Sequence, residues 1–128
     1  MLIEFSVENF LSFDERVTLS LAAAPELDGP DGLLENTFEA PGGLRLLKST
    51  LVYGANASGK SNLVKAIAFV RGMILGSAKE TQAGEPIAVK PFLLGPSVDG
   101  RGSSFEVVWM DGDVRYRYGF SVDSSRVL

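Results

Sequence analysis

The chain has 128 residues, a net charge of −4, and neither cysteine nor histidine. A chain of this length has room for one compact domain with a modest core. The missing residue types exclude disulfide bonds, Cys/His zinc sites and a histidine-dependent catalytic triad. The acidic balance argues against a strongly basic nucleic-acid surface on these residues.

The first residues show the alternation of a half-buried strand. Ile3, Phe5 and Val7 fall on one face of residues 2–7. The alternation returns from Val17 to Leu21, which predicts a second strand antiparallel to the first. Residues 9–14 break the alternation and predict a loop. Residues 25–43 are rich in Pro, Gly and acidic residues, so we expect an irregular segment with a short element at 36–38.

Residues 50–76 predict a strand, a glycine loop and a helix in succession. The apolar run from Thr50 to Tyr53 is typical of a buried strand. After the loop, apolar residues recur at helical spacing and predict a helix that begins near Lys60, packs on a sheet and ends at Gly76. The predicted apolar face consists of Leu63, Ala66, Ile67, Val70 and Ile74.

A β-hairpin is predicted over residues 103–123. Apolar residues alternate on both of its strands, and the Asp-Gly-Asp sequence at 111–113 supplies the turn. Trp109 is expected to be a core residue rather than a stacking platform. The alternating residues are Phe105, Val107 and Trp109 on the first strand and Val114, Tyr116, Tyr118 and Phe120 on the second.

The residues from Gly54 to Ser61 match the phosphate-loop pattern G-x-x-x-x-G-K-[ST] at every fixed position. Glycines let the backbone approach phosphates closely, and successive N–H groups form an anion cradle at the positive end of the following helix. In this pattern Lys60 reaches the β- and γ-phosphates and the Ser61 hydroxyl binds Mg²⁺, so a purine nucleoside triphosphate and Mg²⁺ are the predicted ligands. The predicted phosphate-binding residues are Gly54, Ala55, Asn56, Ala57, Ser58, Gly59, Lys60, Ser61 and Asn62.

The interior of the loop narrows the class of nucleotide-binding protein. Residues 54–62, Gly-Ala-Asn-Ala-Ser-Gly-Lys-Ser-Asn, resemble the Walker A motif of ABC-type ATPases in the SMC, RecF and OLD-like group. Residues 3–13, Ile-Glu-Phe-Ser-Val-Glu-Asn-Phe-Leu-Ser-Phe, are similar to the first strand and the N-F-x-S-F turn that open such proteins. Residues 47–53, residues 90–94 and the hairpin are also similar. Together these segments look like those of bacterial AAA-family proteins with an OLD- or RecF-like ATP-binding domain, several of which serve in anti-phage defence.

The resemblance implies an α/β fold of the P-loop NTPase type, like the first lobe of an ABC-type ATPase head with an antiparallel β-subdomain. It implies a single, incomplete N-terminal ATP-binding domain over residues 1–128, with the P-loop strand and helix at 50–76 and the hairpin at 103–123. It also implies that Ser12 and Phe13 lie on the adenine and ribose side of the nucleotide. Phe10 and Phe13 are equally typical of core anchors, since most aromatic residues serve in packing.

Such ATPases also use a Q-loop, an L-S-G-G-like signature, a Walker B strand ending in Asp-Glu, and a switch histidine. The sequence has no histidine, Asp14-Glu15 follows a loop rather than a buried strand, and Gln82 is a weak match to a Q-loop. We therefore expect the full-length protein to hydrolyse ATP, and residues 1–128 to hold no catalytic residue. The alternative is a non-hydrolytic, nucleotide-dependent protein-interaction module. A P-loop kinase or GTPase fits the N-F-x-S-F strand less well.

The resemblance implies an ATP-dependent head-to-head dimer of the full protein, with DNA or a defence partner contacting other regions. The N-terminus lacks the basic start of a signal peptide, and no stretch has the roughly 20 apolar residues of a membrane span, so we expect a cytoplasmic protein without a membrane partner. Some basic residues are candidates for ligand contact, although solvated positions are their plainer interpretation. They are Arg16, Arg45 and Lys48 for the triphosphate, and Arg115 and Arg117 for DNA or a partner chain.

Overall fold

The computed structural model describes residues 1–24, 34–56, 58–76, 85–95 and 101–128. Two short 3-10 helices, Leu34–Asn36 and Pro41–Gly43, flank a small strand. Several predictions fall outside these ranges: the irregular segment at 25–33, Ala57 of the loop, and the polar segment 77–84 with Gln82. The regular elements are β1 (Leu2–Glu8), β2 (Val17–Ser20), β3 (Thr37–Glu39), β4 (Arg45–Leu47), α1 (Lys60–Gly76), β5 (Ser103–Asp111) and β6 (Val114–Val122).

Four strands form one antiparallel sheet in the order β2-β1-β5-β6. The N-terminal strand is central: Phe5 lies opposite Leu19 on one side and opposite Val107 on the other. The predicted pairing of the first two strands and the predicted hairpin are both confirmed. At the hairpin turn Gly112 has φ +55°, a conformation that glycine adopts without steric cost, which is why two residues suffice to join the strands.

Helix α1 packs against one face of this sheet. Phe105 lies at the centre of the contact, with its ring 5.2 Å from that of Phe10, 5.1 Å from Phe69 and 5.4 Å from Phe120. Ala66 and Val70 are the buried residues of the helix. Pairs of aromatic rings at these separations stabilise a fold by more than their buried area alone accounts for, so this cluster holds the helix on the sheet.

A second, smaller core lies around the two-stranded sheet of β3 and β4. There Leu46 packs with Ile3, Val108 and Met110. The register between β1 and β5 shifts between Leu2 and Glu4. This irregularity accounts for Ile3 packing in a different core from Phe5 and Val7, although all three share one parity in the sequence. The predicted short element at 36–38 corresponds to Asn36 and β3.

Two predictions for the central segment are wrong. Residues 50–53 have no strand pairing, and Leu51 and Tyr53 are both 90% exposed. An apolar run becomes a buried strand only when neighbouring strands pair with it, and no described residue does so. On α1, Ile67 and Ile74 are exposed, whereas Phe69 and Met73 pack against the core.

The described residues thus form a mixed α/β fold, in which helix α1 packs against an antiparallel sheet. Among the described residues, no helix combines the length and the apolar character needed to span a bilayer.

Candidate functional site

The loop between Tyr53 and helix α1 is closed by short-range backbone hydrogen bonds. The Ser58 N–H donates to the Ala55 carbonyl at 3.2 Å, and the Asn62 and Leu63 N–H groups both donate to the Gly59 carbonyl, at 2.9 and 3.3 Å. The first turn of a helix leaves its earlier N–H groups without an acceptor inside the helix. The helix that begins at Lys60 therefore presents donors and the positive end of its dipole toward the loop.

Both fixed glycines of the loop stand where a side chain would collide. A Cβ atom on Gly54 would lie 2.8 Å from Ser58 Oγ, and one on Gly59 would lie 2.6 Å from Ser12 Oγ. Gly59 also has φ +91°, which side-chain-bearing residues rarely adopt. The backbone angle thus favours glycine at position 59, and at both positions a side chain would displace a serine hydroxyl.

The Lys60 ammonium group lies over the first half of the loop. It donates to the carbonyl oxygens of Gly54 at 2.7 Å and Ala55 at 2.6 Å, and lies 3.4 Å from Ser58 Oγ. These contacts fold the long side chain back across the loop, as phosphate recognition at this position requires. The positive charge of Lys60 is therefore held at the loop, and the side chain does not extend into solvent.

The second half of the loop lines a concave cradle of about 380 Å³. The Ser61 hydroxyl, the predicted Mg²⁺ ligand, and the Lys60 side chain share this cradle. Their neighbours there are polar, which suits a highly charged ligand. The lining residues are Asn56, Ser58, Gly59, Lys60, Ser61 and Asn62.

A second cleft of about 230 Å³ adjoins the cradle and shares Ser58, Gly59 and Lys60 with it. Its remaining walls come from strand β2, the segment before the loop, and α1. Apart from Thr18 they are apolar or aromatic, in contrast to the cradle. We call this the apolar cleft; its further lining residues are Phe13, Val17, Thr18, Leu19, Val52, Tyr53 and Leu63.

The opening turn of the chain touches the phosphate loop. Phe10 and Phe13 exchange two backbone hydrogen bonds of 2.9 Å, which leaves Leu11 and Ser12 at the tip of a tight turn. Ser12 Oγ accepts a hydrogen bond of 3.0 Å from the Asn62 side-chain amide. Phe10 is buried in the core, whereas Phe13 lines the apolar cleft. The structure therefore brings Ser12 to the loop and Phe13 to its neighbouring cleft.

Asn9 anchors this turn, a role that the sequence analysis did not identify. Its side chain is buried; Nδ2 donates to the Arg101 carbonyl at 2.8 Å and Oδ1 accepts from the Phe92 N–H at 3.2 Å. Its own carbonyl accepts from the Ser103 hydroxyl. An Asn at the end of a strand, directly before a break in alternation, was the available signal, because this residue type favours special turn conformations.

A charged network stabilises the base of the same turn. The Arg101 guanidinium donates to Asp14 Oδ1 at 2.7 Å and to Glu8 Oε1 at 3.0 Å. The hydrogen bond to Glu8, followed by that to Asp14, raises the pKa of Arg101 above its ordinary value. Asp14 thus has a structural partner, in keeping with its rejection as part of a Walker B motif.

The basic residues considered for the triphosphate lie elsewhere. Arg16 pairs with Glu106 at 3.0 Å, Lys48 Nζ donates to the Glu35 carbonyl at 2.8 Å, and Arg45 lies in β4 opposite Glu39. None of these three basic residues lines the cradle. Arg115 and Arg117 are exposed on β6, and Trp109 is half-buried and stacked on Tyr116 with ring centres 5.3 Å apart.

Comparison with known proteins gives one family and no individual relative. No curated protein and no solved structure matches the chain. A family model described as "AAA domain, putative AbiEii toxin, Type IV TA system" matches residues 49–128. This range covers more than half of the chain and contains the whole phosphate loop, helix α1 and the hairpin. The chain therefore belongs to this AAA-domain family and is a nucleotide-binding, ATPase-like protein of the P-loop type.

Proposed function

We propose that this chain binds ATP with Mg²⁺ at residues 54–62, as a Walker A motif does. The observation that carries the proposal is the position of Lys60, whose ammonium group lies over the loop within 2.7 Å of two backbone carbonyl oxygens. Phosphate oxygens compete with these carbonyls for the ammonium group, because they carry full negative charge and the carbonyl oxygens do not.

The chemistry of the cradle fits a triphosphate. Helix N–H donors, a lysine and small polar side chains converge on one concavity, and the two glycines leave room for close backbone approach. Mg²⁺ would be held by the Ser61 hydroxyl together with phosphate oxygens, and it would neutralise charge on the phosphates.

The apolar cleft suits the adenine and ribose. It opens directly beside Gly59 and Lys60, and the aromatic side chains of Phe13 and Tyr53 line it. A purine ring gains from contact with aromatic and aliphatic surface. This position supports the predicted role of Phe13 at the nucleoside, whereas Ser12 lies toward the loop on a different surface.

In the full protein, we propose that this region serves an ABC-type ATPase of the OLD, RecF and SMC kind. Hydrolysis then draws on a Walker B carboxylate and a signature motif outside residues 1–128, and ATP drives a head-to-head dimer. We propose DNA or a defence protein as the partner of the whole assembly, and the exposed arginines of β6 as a candidate contact surface. A cytoplasmic location is part of the same proposal.

A non-hydrolytic interaction module is the second candidate. Leu93 and Leu94 are 82% and 91% exposed and line a groove with Ser12 and Asn62, directly beside the loop. Such apolar surface next to a nucleotide site favours a contact whose shape depends on bound nucleotide. Phosphate release by the full-length protein separates the two: turnover supports the ATPase, and binding without turnover supports the module.

The decisive variant is Lys60→Ala. Removing a charged hydrogen-bond donor costs about 1.5–3 kcal/mol, so we expect the dissociation constant of a labelled ATP analogue with Mg²⁺ to rise about 10- to 150-fold. The fold should persist, because Lys60 contributes no packing to the core. Fluorescence titration measures the affinity, and circular dichroism checks the fold.

Lys48→Ala is the matched control. Lys48 is also an exposed lysine that donates to a backbone carbonyl, but it lies at Glu35, away from the cradle. The Lys48→Ala variant should bind the ATP analogue with an affinity within about twofold of the wild type. This change is smaller than the one that the loss of a hydrogen bond causes. Equal affinities for the Lys60→Ala variant and the wild type would contradict the Walker A assignment.

A further inference from the structure

The opening turn holds Leu11 in a backbone conformation that leucine does not favour. Asn9 and Leu11 have φ of +50° and +51°. Leucine rarely adopts such angles, and residues held in them cluster at functional sites because the surrounding structure must enforce them. The buried hydrogen bonds of Asn9 and the Leu11 N–H, which donates to the Lys90 carbonyl at 2.9 Å, enforce the turn here.

This turn places the side-chain oxygen of Ser12 next to the phosphate loop. Ser12 Oγ lies where a Cβ atom on Gly59 would be 2.6 Å away, and it accepts the Asn62 amide at 3.0 Å. Ser12 Oγ thus lies beside Gly59 and is hydrogen-bonded to Asn62, the two residues that flank Lys60 and Ser61. Ser12 lines neither the cradle nor the apolar cleft.

We propose that Ser12 is a positioning residue for the phosphate loop: it holds the junction between loop and helix through Asn62 and Gly59, without touching the nucleotide. The inference rests on the proposed nucleotide-binding function and adds a named mechanism to it. Ser12 fixes the Asn62 side chain, which lines the edge of the cradle, through its amide. The N–H groups of the first helical turn are thereby kept in the orientation that receives a phosphate.

The geometry explains why a serine suits this position. The Asn62 amide needs an acceptor on a short side chain, because the space between Ser12 Oγ and Gly59 is too small for even a Cβ atom on Gly59. Alanine would leave the Asn62 amide without this partner. Threonine keeps the oxygen, and the exposed position of Ser12 leaves room for the added methyl group.

The first arm of the test measures amide hydrogen exchange at residues 62 and 63 without nucleotide, because their N–H groups donate to the Gly59 carbonyl and so report on the junction. Ser12→Ala and Asn62→Ala should each accelerate exchange at this junction about fivefold or more, as expected when one hydrogen bond is lost. Ser104→Ala is the matched control, because Ser104 also shares a hydrogen bond, with Ser121, but within the sheet. Unchanged exchange in Ser12→Ala would overturn the inference.

The second arm is a double-mutant cycle on affinity for an ATP analogue with Mg²⁺. Ser12→Ala should weaken binding about five- to tenfold, Ser12→Thr should restore it, and the double variant should bind no more weakly than Asn62→Ala alone. Additive losses would show that Ser12 contacts the nucleotide directly and would overturn the positioning role, as would failure of threonine to rescue.

The two arms separate this inference from the proposed function. If the wild type fails to bind ATP, the proposed function falls, and the exchange arm still decides whether Ser12 holds the junction. If the wild type binds ATP and Ser12→Ala matches it in both arms, the positioning role alone falls. The unfolding midpoint of Ser12→Ala without nucleotide should equal that of the wild type, which excludes a general loss of stability.

Discussion

Individual residues show how strongly backbone angle governs the phosphate loop. Gly59 combines φ +91° with a Cβ position 2.6 Å from Ser12 Oγ, whereas Gly72, in the middle of α1, would place a Cβ in open space. Gly59→Ala should therefore lower the free energy of unfolding by about 1–3 kcal/mol. Gly72→Ala should raise it by about 0.5–1 kcal/mol, because alanine restricts the unfolded chain and favours helix.

Urea unfolding of both glycine variants measures these opposite changes. The two substitutions add the same methyl group within fourteen residues, so they control for each other. A neutral Gly59→Ala would mean that the loop has no need of the left-handed conformation.

A single carboxylate organises the residues after β6. Asp123 Oδ1 accepts hydrogen bonds from the Ser125 hydroxyl at 2.6 Å, from its N–H at 2.7 Å and from the Arg126 N–H at 2.9 Å. The bond from the Ser125 hydroxyl, followed by the backbone bonds, lowers the pKa of Asp123 below its ordinary value of 3.8. Because the folded pKa is depressed, the ionised group stabilises the fold above pH 3.8, and this contribution disappears as pH falls through the folded pKa.

We expect the stability difference between the wild type and Asp123→Ala to be constant above about pH 4 and to shrink on further acidification. Denaturant melts at several pH values measure this difference, and a carbon NMR titration of the carboxyl group measures its pKa directly. A titration at or above 3.8 would contradict the assignment of these hydrogen bonds.

At the scale of elements, α1 is stabilised by one narrow face. Val70 is 5% exposed in the core beside Phe105, whereas Val64 on the same helix is 67% exposed. Val70→Ala removes two buried methyl groups and should lower the free energy of unfolding by about 2 kcal/mol. Val64→Ala should change it by less than about 0.5 kcal/mol.

The two valine variants differ only in position, so helix propensity cancels between them. Chemical denaturation gives both values. Equal losses would mean that α1 packs through a wider face than the structure shows.

At the scale of the molecule, the exposed apolar residues predict self-association. Leu51 and Tyr53 are 90% exposed on a segment without strand pairing, and Leu94 is 91% exposed. Surfaces of this kind tend to pair with other chains. Sedimentation velocity should show mass increasing with concentration, and the double variant Leu51→Ser/Tyr53→Ser should reduce it. A compact wild-type monomer at every concentration would contradict this expectation.

The sequence predicted those elements whose signal is local. Alternation in β1 and the hairpin, and helical spacing after Lys60, each reflect a face that the element buries by itself. The strand at 50–53 was wrongly predicted, because an apolar run shows capacity for burial but not the neighbour that covers it. Ile67 was assigned to the core and Phe69 was not, since periodicity fixes the helix and leaves the packed face uncertain by one residue.

The candidate site divides in the same way. The proposed phosphate loop could be delimited residue by residue from the sequence, because its pattern consists of contiguous residues. The contact between Ser12 and Asn62 joins residues 50 positions apart. It depends on a turn in which Leu11 has φ +51°. Leucine rarely adopts this angle, so the residue type gave no reason to predict the turn. The buried role of Asn9 was missed because its partners Phe92 and Arg101 lie 83 and 92 positions away in the chain.

The strand order has a consequence for the time course of folding. The hairpin of β5 and β6 closes locally, but β1 must pair with β5 across almost the whole chain, as in Glu8 opposite Ser104. Such distant pairings slow folding. During synthesis at about 5–20 residues per second, Ala66 and Val70 leave the ribosome several seconds before Val122, which completes their core. For that interval the nascent helix carries an uncovered apolar face, the kind of surface that chaperones bind.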